Sequence, residues 1–237
     1  KYGARANYKK AKLSPNQELK NWANIAEVDY LVADTSKNLQ NPVDCCNITG
    51  LSKEIIDSNK KNLIDIFKDV KKNHFTTIAS FYTAHEYFEN IESLEGYFRN
   101  IKENLKMGGY LLVTCLDGEI VFDLLKKNYN TKTDRYEYFG NKINEKDEIV
   151  ENFYNITNAP TPGSRENFDK FDKLPDTIEN GFSVHINIKL MDAKKTVYKR
   201  CLVNKKLFIN VASKYGLKII SSNEADNEFE YIKLLDL

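Results

Sequence analysis

Short apolar runs alternate with longer stretches of helical periodicity through the first half of the chain. Glu18 to Ala26 reads as a short helix, and the continuous apolar run Val28 to Ala33 predicts a buried parallel strand ending at Asp34. After a break at Pro42, Val43-Asp44-Cys45-Cys46-Asn47 reads as a second short strand. Leu51 to Lys72 places Ile55, Ile56, Leu63, Ile66, Phe67 and Val70 at helical spacing. Phe75 to Ser80 predicts a third strand, and Ile91 to Lys106 a helix with Ile91, Leu94, Phe98, Ile101 and Leu105 along one face. Lys106-Met107-Gly108-Gly109 reads as a glycine stop to that helix, and Tyr110 to Cys115 as the next strand. Strands alternating with helices of this length imply βαβ crossovers, hence an α/β fold with a mostly parallel sheet covered by helices on both faces.

The second half has another pattern. Gly118 to Lys127 reads as helix, while Thr157 to Lys173, polar and broken by Pro160 and Pro162, reads as an exposed loop. Phe182, Val184, Ile186, Ile188 and Leu190 alternate with polar residues, which predicts an antiparallel strand with one wet face. A helix from Lys205 to Tyr215 and strands at Leu217 to Ser221 and Phe229 to Leu235 complete the reading. There is no internal repeat.

Composition narrows the function classes. The 237 residues, 41% hydrophobic and 12% aromatic, supply enough apolar surface for one compact domain. Thirty-five basic against 34 acidic residues leave a net charge of +1, which excludes nucleic-acid binding driven by bulk charge, so any phosphate site must be local. Four cysteines, two of them adjacent and none in a CxxC pair, form neither a disulfide framework nor a zinc knuckle and fit a reducing compartment. No run approaches the ~18 apolar residues of a membrane span, and Lys1 to Arg5 lacks a signal peptide's apolar region. The expectation is a soluble cytoplasmic protein without membrane partners, the cytoplasm of a host or a virion included. The first residue is not methionine, so the sequence is expected to begin inside a longer reading frame or after processing.

In an open α/β sheet ligands bind beyond the carboxyl ends of the strands. The residues there are Asp34, Asn47, the Phe81 to Tyr87 segment and Asp117. Asp34 is placed to accept hydrogen bonds from both hydroxyls of a ribose. Its competing role is that of a helix cap, with Thr35 and Ser36 as rivals. His85 is the histidine of this set; His74 precedes a strand and His185 falls on the outward phase of one. Three dispersed histidines without a Cys/His cluster point to no metal site. Lys9, Lys10 and Lys12 are a solvated face or a phosphate site, and Lys194, Lys195, Lys199 and Arg200 are ordinary surface or a guide for an RNA backbone. Tyr136, Tyr138, Phe139, Phe153 and Tyr154 favour core packing over base stacking.

Two segments carry a resemblance: Phe81-Tyr82-Thr83-Ala84-His85-Glu86-Tyr87-Phe88, and Leu105-Lys106-Met107-Gly108-Gly109-Tyr110-Leu111-Leu112-Val113-Thr114-Cys115-Leu116-Asp117-Gly118. Together they resemble the mRNA cap (guanine-N7) methyltransferases, in particular the methyltransferase domain of capping enzymes of large DNA viruses. In that family a strand ends in QFxxHYxF and an LxxGGxLLxTxxDG strand-turn follows. Cys201-Leu202-Val203-Asn204, the helix after it and Tyr215-Gly216-Leu217 are similar to the family's EYLV strand, helix and YGL turn, and Asn7-Tyr8-Lys9-Lys10 to its NNxIK entry segment. The resemblance implies a Rossmann-like class I methyltransferase with an antiparallel C-terminal strand. Residues 1–237 would form one domain, the cofactor half about 1–118 and the cap-binding half about 119–237. It further implies S-adenosyl-L-methionine as cofactor, capped RNA as substrate, and other domains or a subunit of a capping enzyme as partners.

By position, the resemblance places Lys10 at the methionine carboxylate of the cofactor, Asp34 at its ribose and Asn47, where the family has Asp, at its adenine. Ser14, Asn16 and Glu18 fall in the segment matching the cofactor loop, and Phe81 stands where the family has Gln. His85, Glu86, Tyr87 and Arg200 are the substrate-binding set. No catalytic acid or base is implied, because guanine N7 already carries a free lone pair and positioning sets the rate. The departures are specific. The Ser14 to Leu19 loop has no glycine, and three residues between Lys10 and Ser14 stand where a helical turn and a first strand belong. Either residues are left out beside Leu13, which the two unpaired edges of a sheet without its central strand favour, or that strand is lost. Glu86 replaces the family's first Tyr, whose ring Tyr87 could supply, and Arg200 replaces its guanine-reading Glu; guanidinium only donates, so Arg200 could instead hold a triphosphate oxygen. The rival readings are a methyltransferase-fold subunit that binds a capping partner or RNA without turnover, and a small-molecule methyltransferase.

Overall fold

A computed structural model describes residues 33–68, 74–143, 149–158, 168–178, 181–188, 197–221 and 230–234. Lys10, Ser14, Asn16, Glu18, the Leu13–Ser14 junction, the helix at Glu18 to Ala26, nearly all of the strand at Val28 to Ala33, and Lys194 and Lys195 lie outside the described residues. The chain divides into two compact units, Lys1–Lys71 and Lys72–Leu237.

In the first unit the segment expected as a second strand is instead a short helix, α1 (Pro42–Cys45). Asn41 caps it, its side chain accepting from the Val43 N–H, and Pro42 occupies the first turn, where a missing N–H costs nothing. That cap chemistry outweighs the strand preference of Val43 and the two cysteines. Cys45 and Cys46 are buried with Leu63 of α2 (Lys53–Lys68) and packed by Ala33, Leu39 and Phe67.

The second unit contains two sheets. The first has the order β1-β2-β9-β8, with β1 Phe75–Phe81, β2 Leu105–Thr114, β8 Leu217–Ser221 and β9 Glu230–Leu234. β1 and β2 are parallel and joined through α3 (Ile91–Asn104), the expected crossover. β9 inserts antiparallel between β2 and β8, so β1, β2 and β8 run one way and β9 the other. The expected stop at Gly108-Gly109 is corrected: α3 ends at Asn104, and the glycines lie inside β2. There the ladder slips by register between Phe75 and Thr77, and Gly108 takes φ 74°. The pull is Leu105, fully buried and paired with Phe75, which draws the chain into the sheet before the glycines are reached. Leu94, Tyr97, Phe98 and Ile101 of α3 pack with Phe208 and Val211 of α5 (Lys205–Lys214) over this sheet.

The second sheet corrects the expectation of a mostly parallel architecture. It is an antiparallel meander of β3 (Tyr129–Asn130), β4 (Arg135–Ile143), β5 (Ile149–Asn158), β6 (Ser183–Ile188) and β7 (Tyr198–Cys201). Thr157 and Asn158, expected in a loop, close β5, and Phe168 in the same stretch is buried. One face packs Tyr136, Ile156, Val184 and Ile186 against Val121, Phe122 and Leu125 of α4 (Gly118–Lys126). Asn158 Oδ1 accepts from the buried Tyr136 N–H at 3.0 Å, satisfying a donor that faces β5 where that strand ends.

The two sheets meet at a backbone contact. Asp117 bridges Val203, and the Gly118 N–H donates to the Val203 carbonyl at 3.0 Å. A Cβ on Gly118 would stand 2.4 Å from that oxygen. Gly118→Ala should therefore cost about 1–3 kcal/mol by overpacking, although Ala is the better helix former by ~1 kcal/mol. Urea unfolding measures this; an unchanged midpoint would contradict the contact.

Candidate functional site

The carboxyl ends of β1 and β2 form one rim. After Phe81 the chain turns at Tyr82, which adopts φ 52°, a left-handed conformation costing a non-glycine residue about 1–2 kcal/mol. The turn is held by the Tyr82 N–H donating to the Thr114 carbonyl at 2.7 Å, which ties the end of β1 to the end of β2. Ser80 Oγ and Thr83 Oγ1 share a hydrogen bond of 2.6 Å across the same corner. Ala84, fully buried, then starts a single turn of 3-10 helix, Ala84–Tyr87. With the backbone so fixed, the rings of Phe81 and Tyr82 stand in solvent at 57% and 67% exposure.

The turn distributes its side chains unevenly. Tyr87 stacks on Tyr97 with centroids 4.2 Å apart, so this candidate faces the core rather than the rim. Burial pushes the Tyr97 hydroxyl well above its ordinary range. Glu86 is exposed, and its Oε1 lies 3.5 Å from His85 Nε2 and 3.3 Å from an Arg200 Nη1. Arg200 in turn lies 5.2 Å from the centroid of the Tyr198 ring and donates to the Lys199 carbonyl at 3.0 Å. His85, Glu86 and Arg200 are thus brought together from the turn after β1 and from β7. At this exposure the ion pair contributes at most ~1 kcal/mol to stability, so its consequence is geometric: it aims a carboxylate.

At the end of β2 the candidate Asp117 is committed to structure. Its Oδ1 accepts from the Glu119 and Ile120 N–H groups at 2.9 and 3.2 Å, capping α4. Thr114 Oγ1 is buried at the rim without a hydrogen-bond partner. Burial, then Asp117, pushes the Cys115 thiol up, and burial followed by Glu89 pushes Cys201 up to about 11. Both are protonated at neutral pH, so neither is an activated nucleophile.

Asp34 and Asn47 belong to the first unit. Asp34 Oδ1 accepts from the Ser36 N–H at 3.0 Å and its hydroxyl at 2.6 Å, while the Asp34 N–H donates to the Cys45 carbonyl at 2.7 Å. One carboxylate oxygen thus organises a turn, the capping-type role that competed with ribose binding in the sequence. Asn47 follows α1 and is exposed. Among the described residues no group of three His, Cys, Asp or Glu could hold a metal ion, and no helix is long and apolar enough to cross a membrane.

The aromatic cluster separates by face. Tyr136 is buried, with its hydroxyl donating to Asp169 at 2.6 Å, and Tyr138 and Tyr154 lie 6.1 Å apart on the same side. Phe139 points the other way and is exposed. His185, on that outer face, has its pKa held below 6.5 by burial and then by Lys199 and Arg135. Sequence reasoning missed the left-handed Tyr82, the orphaned Thr114 hydroxyl and the Tyr198 ring under Arg200. Only the last had a local signal, an aromatic two residues before a cation on a strand, which puts both on one face.

No protein-family model matches the chain. A stretch of 82 residues, 35% of the chain, is 33% identical to a probable mRNA-capping enzyme of Acanthamoeba polyphaga mimivirus. The match spans 7% of that relative's length. Among solved structures, the chain is similar to an S-adenosylmethionine-dependent methyltransferase from Clostridium acetobutylicum, at 13% identity and TM-score 0.35 over 78% of this chain and 72% of that one. It is also similar to a protein from Pyrococcus horikoshii, at 9% identity and TM-score 0.33 over 77% and 68%.

The depressed His185 pKa has a defined sign. The unfolded chain binds this proton more readily, so the residue's contribution to stability is complete above about pH 6.5 and is lost as pH falls through the folded value. Unfolding of the protein and of His185→Gln between pH 5 and 8 should show the wild type losing stability faster toward acid; parallel profiles would contradict the assignment.

Proposed function

We propose that this chain is an S-adenosylmethionine-dependent methyltransferase domain that transfers a methyl group to N7 of the cap guanosine of RNA. The observation that carries the reading is that the two segments resembling cap methyltransferases, 81–88 and 105–118, end side by side at one rim, joined by the Tyr82–Thr114 hydrogen bond. The similarity of an 82-residue stretch to a viral capping enzyme supports it. So does β9, the reversed strand that a class I methyltransferase fold would have near its C-terminus.

The cofactor would supply a methyl group already activated on a sulfonium. Its chemistry suits residues present here: by resemblance Asp34 is an acceptor for vicinal ribose hydroxyls and Asn47 offers an amide to the adenine edge. Lys10, Ser14, Asn16 and Glu18 complete the cofactor set by resemblance, and Phe81 would give a ring face where the family has an amide.

Substrate reading would pass from position 200 to position 86. Arg200 has only donors and cannot take the guanine N1 and N2 hydrogens. Glu86, held by Arg200 and His85, presents the acceptor instead. As N7 gains its methyl the purine becomes cationic and its N1–H a stronger donor, so a carboxylate there binds the transition state more tightly than the ground state. Tyr87 would act from behind, fixing the turn through its stack on Tyr97.

One observation favours a second reading, a methyltransferase-fold subunit without turnover: Asp34 Oδ1 is already bonded to Ser36. Calorimetry with S-adenosylmethionine or S-adenosylhomocysteine separates the two, because binding weaker than millimolar would discard the enzyme. Asp34→Ala should abolish that binding with the circular dichroism unchanged. Methyl transfer to GpppA-capped RNA, set against free nucleotides, tests the acceptor. Glu86→Gln should lower kcat/KM about 10- to 100-fold, the worth of a charge-assisted hydrogen bond, and leave cofactor affinity unaltered.

A further inference from the structure

We propose that the solvent-facing side of the five-stranded antiparallel sheet is a docking platform for single-stranded RNA. The inference does not depend on methyl transfer. It rests on the register of the sheet and on which side chains that register brings to the outer face.

Paired residues of antiparallel strands share a face. Glu137 pairs with Thr157, Thr157 with His185, and His185 with Lys199, which makes one row across β4, β5, β6 and β7. Tyr136, Ile156, Val184 and Ile186, the alternate positions, are the buried ones, so this row faces solvent. At ~4.8 Å per strand it is about 14 Å long. Arg135 is exposed two residues before Glu137, and it and Lys199 both act on His185 electrostatically. The Glu137 carboxylate is engaged toward the β3 edge, where Asn130 and the Thr133 hydroxyl donate to it. Its charge remains, but Arg135 and Lys199 together exceed it by one, so the sum over these groups is positive.

A second row lies one pleat repeat, ~7 Å, further along the strands. It consists of Phe139 paired with Asn155, and Asn155 paired with Asn187. Phe139 is 44% exposed, a large ring offered to solvent at the centre of a strand whose alternate aromatic residues are packed inward. A basic row beside an aromatic and amide row meets the needs of an unpaired nucleic-acid strand: phosphates along Arg135 and Lys199, a base on the Phe139 ring, and base edges against amides that both donate and accept. A duplex does not match it, since a duplex keeps its base faces stacked and out of reach of Phe139. The charge is local, as a chain of net charge +1 requires.

The test is fluorescence anisotropy with a labelled, uncapped decaribonucleotide and the full chain, without methyl donor, from 50 to 300 mM salt. Failure of the cap reading leaves this assay untouched, and failure here leaves cofactor binding untouched. The expected result is salt-dependent binding, with Arg135→Ala/Lys199→Ala reducing the slope of log affinity against log salt by about 1.4, the share of two phosphates. Phe139→Ala should weaken binding about 5- to 100-fold, and Phe139→Tyr should restore it. Absence of wild-type binding at 50 mM salt, variants that bind like wild type, or a duplex of equal length bound as tightly and indifferent to Phe139→Ala would each overturn the proposal.

Discussion

The close backbone approach between Gly118 and Val203 is the constraint on which the second unit depends. With no side chain at 118, the exit of β2 lies directly against the segment that follows β7, and a hydrogen bond fixes the distance. Two helices start from this point. Asp117 caps α4, which covers the antiparallel sheet, and Asn204 caps α5, which covers the other. Asn204 also donates to the Leu174 and Pro175 carbonyls and to Asp176, so it anchors the 168–178 segment to the same joint. Neighbouring residues there serve different cores: Leu202 belongs to the cluster under α4 and Val203 to the one under α3 and α5. Two layers that share no strand are thereby held in one register.

The joint explains why the rim can tolerate strain. Tyr82 is held in an unfavourable backbone region by over-determined residues two positions to either side, Ser80 by pairing with Val113 and Ala84 by complete burial. The same rigidity brings β7 to the 3-10 turn, so that a carboxylate from one and a guanidinium from the other meet. Glu86 of that turn and Arg200 of β7 lie 3.3 Å apart, and the contact holds a negative group at this edge of the rim.

Legibility in the sequence followed the physics of each element. Helices with four or more apolar positions on one face, such as α3 and α5, and the parallel β1–β2 pair were readable because burial alone specifies them. α1 departs from the strand pattern because Pro42 is not a break there: Asn41 before it makes the pair a helix start. β4 and β5 were missed because their inward positions are Tyr136, Tyr138 and Tyr154, whose hydroxyls disguise the two-residue period that Val184 and Ile186 display openly. His85, Glu86 and Arg200 were legible as a set only through resemblance, since 86 and 200 are adjacent solely by tertiary packing. The Tyr82 conformation had no signal, because a tyrosine is not the residue that a left-handed turn selects.

The position of β9 bears on how the molecule is made. Its register joins Lys233 to Tyr110 on one side and to Lys218 on the other, so a strand synthesised long after β2 must slot between β2 and β8. A loop closure of that length is slow and entropically costly. Until it happens, β2 and β8 each keep an unsatisfied edge, the arrangement that invites pairing with a foreign chain. Nascent copies therefore pass through an aggregation-prone interval that ends only with this insertion, and a chaperone or an attached neighbouring domain would act by shielding those two edges.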